Sequence, residues 1–552
     1  MNVMKYALGA GVACLLGGVQ AQAADLPVKA NPIEYVKICS IYGEGFFYVP
    51  GTDTCIKIGG WVRMEAYVGD AQGSSLPGIY GNGGANTSAT PTGGLANFFY
   101  QNTFILSTDV RSQTDYGTLR AYARAGYRLQ SNQYTAGIIY AERAFVQMGG
   151  FTAGRTNSFF DFYNGAFSFY GDYLGGGSWT AFGRNTAAYT FQFGNGASAT
   201  FSVEDATERR SFAWDATAGV NKLAIGVVPG PNISNPAAYS VCAVNTVTTD
   251  AGTSQNGGCP IGDYAAQKMP DFVGNLRVDQ FWGSAQVMAA VHQVTVGNYG
   301  ADTATAITTG PVIGGTVGSG TFTGVRPSDA YGYAVGGGLL LNVPWFQGDK
   351  FWVEGVFTQG AVSYTGIDAS QSANNGIVPY QFSGANGSAG WAVDSIFANT
   401  GTGLHPNFTG QHLTTAWTIG AAYEHYWTPT LRTSFWGVYT PFSFDSTATS
   451  LLCSPTSNGG VAYTSAAAQA VHAGCNPNFQ IWGVGLRTIW TPVKNLDLGF
   501  EAFYDEIDNN MNPATVRYNY QGNGTRAAGL YVPDNGLGNW TGILRLQRNF
   551  WP

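Results

Sequence analysis

Hydrophobic and polar positions alternate with period two over many short stretches of this chain. Asp271 to Val291 shows it well. Asn275, Arg277 and Asp279 fall on one side, and Gly274, Leu276 and Val278 on the other. After a tight turn, Ser284 and Gln286 oppose Ala285, Val287, Ala289 and Val291. Side chains alternate across a strand, so each stretch predicts a strand with one wet and one greasy face. Earlier, Lys57, Trp61, Arg63 and Glu65 oppose Ile58, Val62, Met64 and Ala66. Thr103, Ser107, Asp109 and Arg111 oppose Phe104, Leu106 and Val110; Arg120, Tyr122 and Arg124 oppose Leu119, Ala121, Ala123 and Ala125. Similar strands are predicted at 186–193, 197–205, 331–343, 350–360, 413–426, 430–439, 479–490, 495–505 and 538–550.

The gaps between these strands are of two kinds. Some are very short, as at Gln113 to Gly117, or at Phe193 to Ala197 with its Asn-Gly hairpin signal. Others are long and rich in Gly, Ser, Thr, Asn and Ala: 69–96, 218–266, 296–328, 361–411, 443–477 and 507–536. Short turns that alternate with long loops are the pattern of a transmembrane β-barrel, with short turns on the periplasmic side. Trp282, Trp345, Trp352, Trp427, Trp490 and Trp540 stand near strand ends, where amphipathic rings form belts at both rims.

Composition agrees. Only 11% of the 552 residues are charged, against about 25% in an average soluble protein. A membrane-spanning helix needs roughly 20 consecutive apolar residues, and beyond the N-terminus no such run occurs. Lys5, the apolar stretch Tyr6 to Val19 and Ala21-Gln22-Ala23 read as a secretory signal peptide over 1–23, leaving 24–552 as one barrel domain. Within it, 24–56 is an N-terminal segment without clear periodicity. The formal charge of −7 gives no case for nucleic-acid binding. Apart from Cys14 in the signal, the cysteines fall in sequence-local pairs: Cys39 with Cys55, Cys242 with Cys259, and Cys453 with Cys475. An even count in an exported chain suggests disulfides, although six cysteines permit 15 connectivities. No CxxC, HExxH, P-loop or GxSxG occurs, so neither a metal or other cofactor nor an enzyme activity is expected. The run Val335 to Leu339 lies inside a strand, where its glycines allow bending or close packing.

Four blocks carry a resemblance: Glu34 to Tyr67, Phe151 to Tyr163, Pro270 to His292, and Gly542 to Phe550. The chain resembles the general porins of the alphaproteobacterial outer membrane, an all-β class of antiparallel barrels with about 16 strands, assembled as trimers. The resemblance implies a water-filled channel for small hydrophilic solutes and ions. It implies two identical partner subunits, lipopolysaccharide and other outer-membrane lipid around the barrel, and assembly machinery that reads a terminal aromatic. Phe550 is the candidate for that signal, although Trp551 and Pro552 follow it. It also implies that the third long loop, 157–183, folds into the barrel and narrows it. Asp161 and Asp172 are the only carboxylates of that loop, and Arg63, Arg111, Arg120, Arg124 and Arg155 are the candidate cations facing them. Acidic and basic groups across a narrow gap would order solutes and set ion selectivity. Phe159, Phe160, Phe162, Tyr163, Phe167, Phe169, Tyr170 and Tyr173 make the same loop strongly aromatic. Those rings suit either a stacking track for sugars, hence a substrate-selective porin, or anchorage of the loop against the wall. A surface adhesin working through its outer loops is the alternative of another class.

Overall fold

A strand in hydrocarbon can leave no peptide group unpaired, and the computed structural model meets this demand by closing one sheet on itself. The structure describes residues 39–69, 98–130, 138–162, 170, 176–177, 183–211, 213–216, 227–229, 239–241, 268–296, 326–367, 380–383, 386–398, 407–453, 475–510, 516–518, 529–531 and 536–550. The signal-peptide expectation for 1–23, Asp172, Cys242, Cys259 and the last two residues lie outside the described residues.

Sixteen strands form the ring in chain order: β1 (Cys55–Gly69), β2 (Phe98–Thr114), β3 (Gly117–Gln130), β4 (Ile138–Met148), β5 (Phe151–Thr156), β6 (Arg184–Gly194), β7 (Ala197–Glu204) and β8 (Asp271–Gln280). There follow β9 (Gly283–Val294), β10 (Ala330–Asn342), β11 (Lys350–Gln359), β12 (Thr415–Thr428), β13 (Leu431–Ser443), β14 (Asn476–Val493), β15 (Leu496–Asn510) and β16 (Gly536–Phe550). Each pairs antiparallel with the next. β16 then returns to β1, from Gly60 opposite Phe550 to Gly69 opposite Thr541. A two-residue strand, Phe47–Tyr48, adds to the foot of β1.

The alternation read from sequence survives as two faces. On β1, Val62, Met64 and Val68 are exposed on the outside while Glu65 and Tyr67 are buried inside. On β9, Val287 and Val291 face out, and Gln286, Met288 and His292 face in. Trp345, Trp427, Trp490 and Trp540 stand exposed as belt residues should, but Trp352 is fully buried on the inward set of β11, which corrects its assignment to the belt. Turn chemistry follows the sequence too. Asn195 and Gly196 both take positive φ, as a two-residue hairpin of this type demands. Phe281 and Trp282 form the turn between β8 and β9.

One strand escaped sequence reading. β4 carries a bulge: Arg124 opposes Arg143 and Ala125 opposes Ala141, which leaves Glu142 as an extra residue. Glu142 and Arg143 therefore both sit inward, and period two breaks in the middle of the strand. Among the described residues two disulfides are formed, Cys39–Cys55 and Cys453–Cys475.

The turn from Val343 to Asp349 is held by one carboxylate. Asp349 accepts from Tyr423 Oη and, at 2.7 Å, from His425 Nδ1 on one oxygen, and from the Tyr426 N–H at 2.8 Å on the other. Burial alone would raise its pKa, but these bonds outweigh it and hold the carboxyl below its usual 3.8. The contribution is therefore complete above about pH 4 and fades as pH falls through the lower folded value. Asp349→Ala is expected to destabilise the barrel by about 1.5–3 kcal/mol at pH 7. The wild-type advantage should shrink below pH 4 in urea titrations of the folded, heat-modifiable band.

Candidate functional site

The connection between β5 and β6 turns into the ring and crosses its interior. Two hydrogen bonds seat its start on the wall: the Phe159 N–H to Glu204 at 2.9 Å, and Asn275 Nδ2 to the Phe159 carbonyl at 2.5 Å. Gln286 Nε2 reaches the Phe160 carbonyl at 3.3 Å. Phe162 then lies over Gly338 of β10, where any Cβ would overlap its ring. That is why a strand interior tolerates glycine here.

Farther along, Tyr170 touches the opposite wall. Its N–H donates to Glu501 at 2.8 Å, and its carbonyl accepts from Arg545 at 3.2 Å. The Arg545 guanidinium stacks 3.6 Å above the Tyr170 ring, with Arg487 5.0 Å away. The return leg bonds through the Gly177 N–H to the Tyr364 carbonyl at 2.8 Å, and through the Gly183 N–H to the Glu142 carbonyl at 2.9 Å. The described aromatics of the loop are thus spent on anchorage, with Phe160 and Tyr170 buried.

Asp161 forms an ion pair with Arg209 at 3.4 Å. Arg209 comes from the connection after β7, and its guanidinium lies 3.7 Å over the Tyr364 ring. Two more connections therefore enter the ring beside the third. Tyr364 Oη donates to Asp271 at 2.7 Å, and the other Asp271 oxygen bonds His292 Nδ1 at 2.7 Å. Asp394 accepts from the Val362 N–H at 2.8 Å and the Ser211 N–H at 2.9 Å, with His292 Nε2 3.6 Å from it. Asp271, His292, Tyr364 and Asp394 are fully buried. Burial and the Asp271 carboxylate push the Tyr364 phenol well above its usual range, so it stays a donor. Ser395–Phe397 even pairs in parallel with Ala213–Asp215.

The candidate arginines on β1 to β3 are held by other wall residues. Arg111 and Arg120 both bind Asp109, each with two bonds of 2.8–3.0 Å, close to the short turn between β2 and β3. Arg124 pairs with Glu142 at 2.5 Å. Arg63 bonds Gln547 at 2.8 Å and stacks on Trp61 at 3.9 Å. Arg155 departs from the inward expectation. Its cross-strand neighbours Ala144 and Asn185 both belong to the exposed outer set, while Thr152 and Thr186 of the same strand pair are buried inside. Gly154, with φ of +124°, precedes it. Sequence reading missed Arg209, Arg487, Arg545 and Glu501. Alternation in Gly542 to Phe550 carries a signal for Arg545, which shares the inward set with Gln547.

The family model of the porin subfamily matches residues 25–529. The chain belongs to the porin family. The porin Omp2b of Brucella suis biovar 1 (strain 1330) is 31% identical over 217 residues, which cover 37% of this porin and 54% of the relative. Porin Omp2a of Brucella ovis is 30% identical over 231 residues, covering 38% and 61%. The matched region thus spans a little over half the length of these relatives. Among solved structures, the outer membrane channel DcaP of Acinetobacter baumannii aligns with TM-score 0.46 and 12% identity, covering 91% of this porin and 99% of that chain. Family membership together with the closed ring and its apolar outer face gives this porin a multi-pass outer-membrane location.

The seating of the third loop can be checked directly. Gly338→Leu should expel Phe162 and expose the aromatic loop to chymotrypsin, with cleavage between 157 and 183 where the wild type resists. The overpacking costs about 1–3 kcal/mol. Phe162→Ala in the same chain should restore resistance.

Proposed function

We propose that this porin is a passive, water-filled channel for small hydrophilic solutes and ions, working as a homotrimer in outer-membrane lipid and lipopolysaccharide. The observation that carries this reading is the closed ring, apolar outside and bearing its charged groups inside, with a loop crossing its interior. Closure pairs the backbone within the sheet, and the interior offers water and charge to a solute. Phe550, the last residue of β16, opposes Gly60 and stacks on Phe104 at 6.0 Å. It is the residue we assign to the assembly machinery's recognition.

Asp161, Arg63, Arg111, Arg120 and Arg124 are proposed to set the passage's charge, and the pattern favours anions. Three carboxylates on the wall are each shared between two arginines: Asp109 by Arg111 and Arg120, Glu65 by Arg63 and Arg545, Glu424 by Arg432 and Arg487. Each such group keeps one net positive charge. The carboxylate side chains are 1–12% exposed, whereas Arg63, Arg111, Arg120 and Arg432 are 21–26% exposed. A passing ion therefore meets guanidinium first. Asp161, tied to buried Arg209, acts as a loop anchor as much as a lumen charge.

Planar-bilayer recording in a salt gradient tests both statements. Ohmic steps in groups of three with an anion-selective reversal potential are expected. One charge about 7 Å from an ion in water is worth about 0.6 kcal/mol, near RT. Arg63→Ala should therefore lower the anion-over-cation ratio by roughly two- to threefold. A cation-selective wild type would sink the charge assignment, and absence of current from folded trimers would sink the channel.

A further inference from the structure

β1 is longer than its partner at the seam. β16 ends at Phe550 opposite Gly60, so Cys55 to Gly59 extend beyond it on that edge. A free sheet edge at a barrel mouth invites a further strand. The N-terminal segment supplies it: Phe47 pairs with Ile56 and Tyr48 with Cys55. A tight turn returns the chain, with the Val49 N–H on the Thr54 carbonyl at 2.9 Å. The disulfide from Cys39 to Cys55 then ties the start of the segment to the first residue of β1.

This staple fixes where the segment points. Cys55 is buried on the inward set of β1, and its cross-strand neighbour is Arg111. Lys57 is the next inward residue and opposes Asp109. Between Cys39 and Phe47 the chain folds back on itself, with the Cys39 N–H on the Phe46 carbonyl at 3.1 Å. That turn carries Phe46, 4% exposed, onto two lumen cations: Arg111 lies 4.8 Å and Lys57 5.8 Å from its ring centroid. Tyr42 adds a second ring 5.8 Å from Arg111, and the Lys57 ammonium donates to the Glu44 carbonyl at 3.1 Å.

We propose that the disulfide-stapled segment 39–55 is a second constriction, at the short-turn mouth of the channel, which partly covers Lys57 and Arg111 and so limits both conductance and anion preference. The faces of aromatic rings bind cations. A cation held under a ring and a carbonyl keeps its charge but gives up part of its contact with water and with passing anions, as Arg111 does at 26% exposure. The segment also takes up cross-section at a mouth where the ring has no inward loop of its own among the described residues. The third loop would then act at mid-barrel and this one at the exit, each on a different set of arginines.

The inference rests on the channel reading, and the test separates the two. Wild type, Cys39→Ser/Cys55→Ser and Tyr42→Ala/Phe46→Ala are recorded in planar bilayers after heat-modifiable migration shows each is folded. The second variant keeps the disulfide and removes only the rings, so a folding failure of the first does not end the test. Both are expected to raise single-channel conductance and to raise the anion-over-cation ratio roughly two- to threefold, as uncovering one cation to a passing ion would. Lys57→Met added to either should reverse much of the gain in selectivity. A conductance and reversal potential equal to wild type in the ring-deleted variant would overturn the proposal while the channel stands. A wild type without current overturns the channel reading and this inference with it.

Discussion

Everything in this molecule follows from the requirement that backbone groups in lipid find partners in protein. A sheet can meet it only by returning to its own first strand, as β16 does on β1 from Gly60 to Gly69. Closure fixes the rest in sequence. Short turns must join strands at one end, and one face of every strand must be apolar. Polar residues must then collect in a confined interior, where charge is costly unless paired. The lumen charges are consequences of the ring before they are features of a passage.

That confinement explains the recurring arginine–carboxylate–arginine groups. A carboxylate has two oxygens and about four lone-pair sites, and two guanidinium forks satisfy them with geometry that one cannot. Asp109 is the complete case, bidentate to Arg111 and to Arg120. The carboxylate can then be buried while each arginine keeps part of its surface wet. Structural pairing and an excess of accessible positive charge are the same arrangement viewed from the wall and from the water.

The ring was legible because its constraint is local and periodic: alternation needs only residues two apart. What sequence could not give was non-local or broke the period. β4 vanished into its bulge at Glu142 and Arg143. Arg155 follows Gly154, whose φ of +124° lies outside ordinary strand geometry, and it joins the outer set. Asp161 finds Arg209 forty-eight residues later in another connection, and no spacing rule links them. The resemblance brought the third loop inward, but the entry of the connections after β7 and β11 had to come from structure.

One signal for those two connections was nonetheless present in the strands. The inward set is not uniformly polar. β1 to β3 turn Lys57, Arg63, Arg111, Arg120, Tyr122 and Arg124 inward, whereas β8 to β12 turn in Val273, Met288, Ala290, Ala334, Val356, Ala416 and Ala422. A lumen wall of valine, methionine and alanine gains nothing from water. It gains from cover, at about 25 cal/mol for each Å² removed from solvent. Phe160, Tyr364 and Ala361 supply that cover, packed in one cluster with the inward residues of β8 to β11. The fully buried Asp271, His292, Asp394 and Arg209 network ties the same connections to the strand ends. Filling that half of the ring displaces water toward the half walled by arginines. On the channel reading proposed above, solutes would therefore pass along the wall of Arg63, Arg111 and Arg120, whose side chains stay 21–26% exposed.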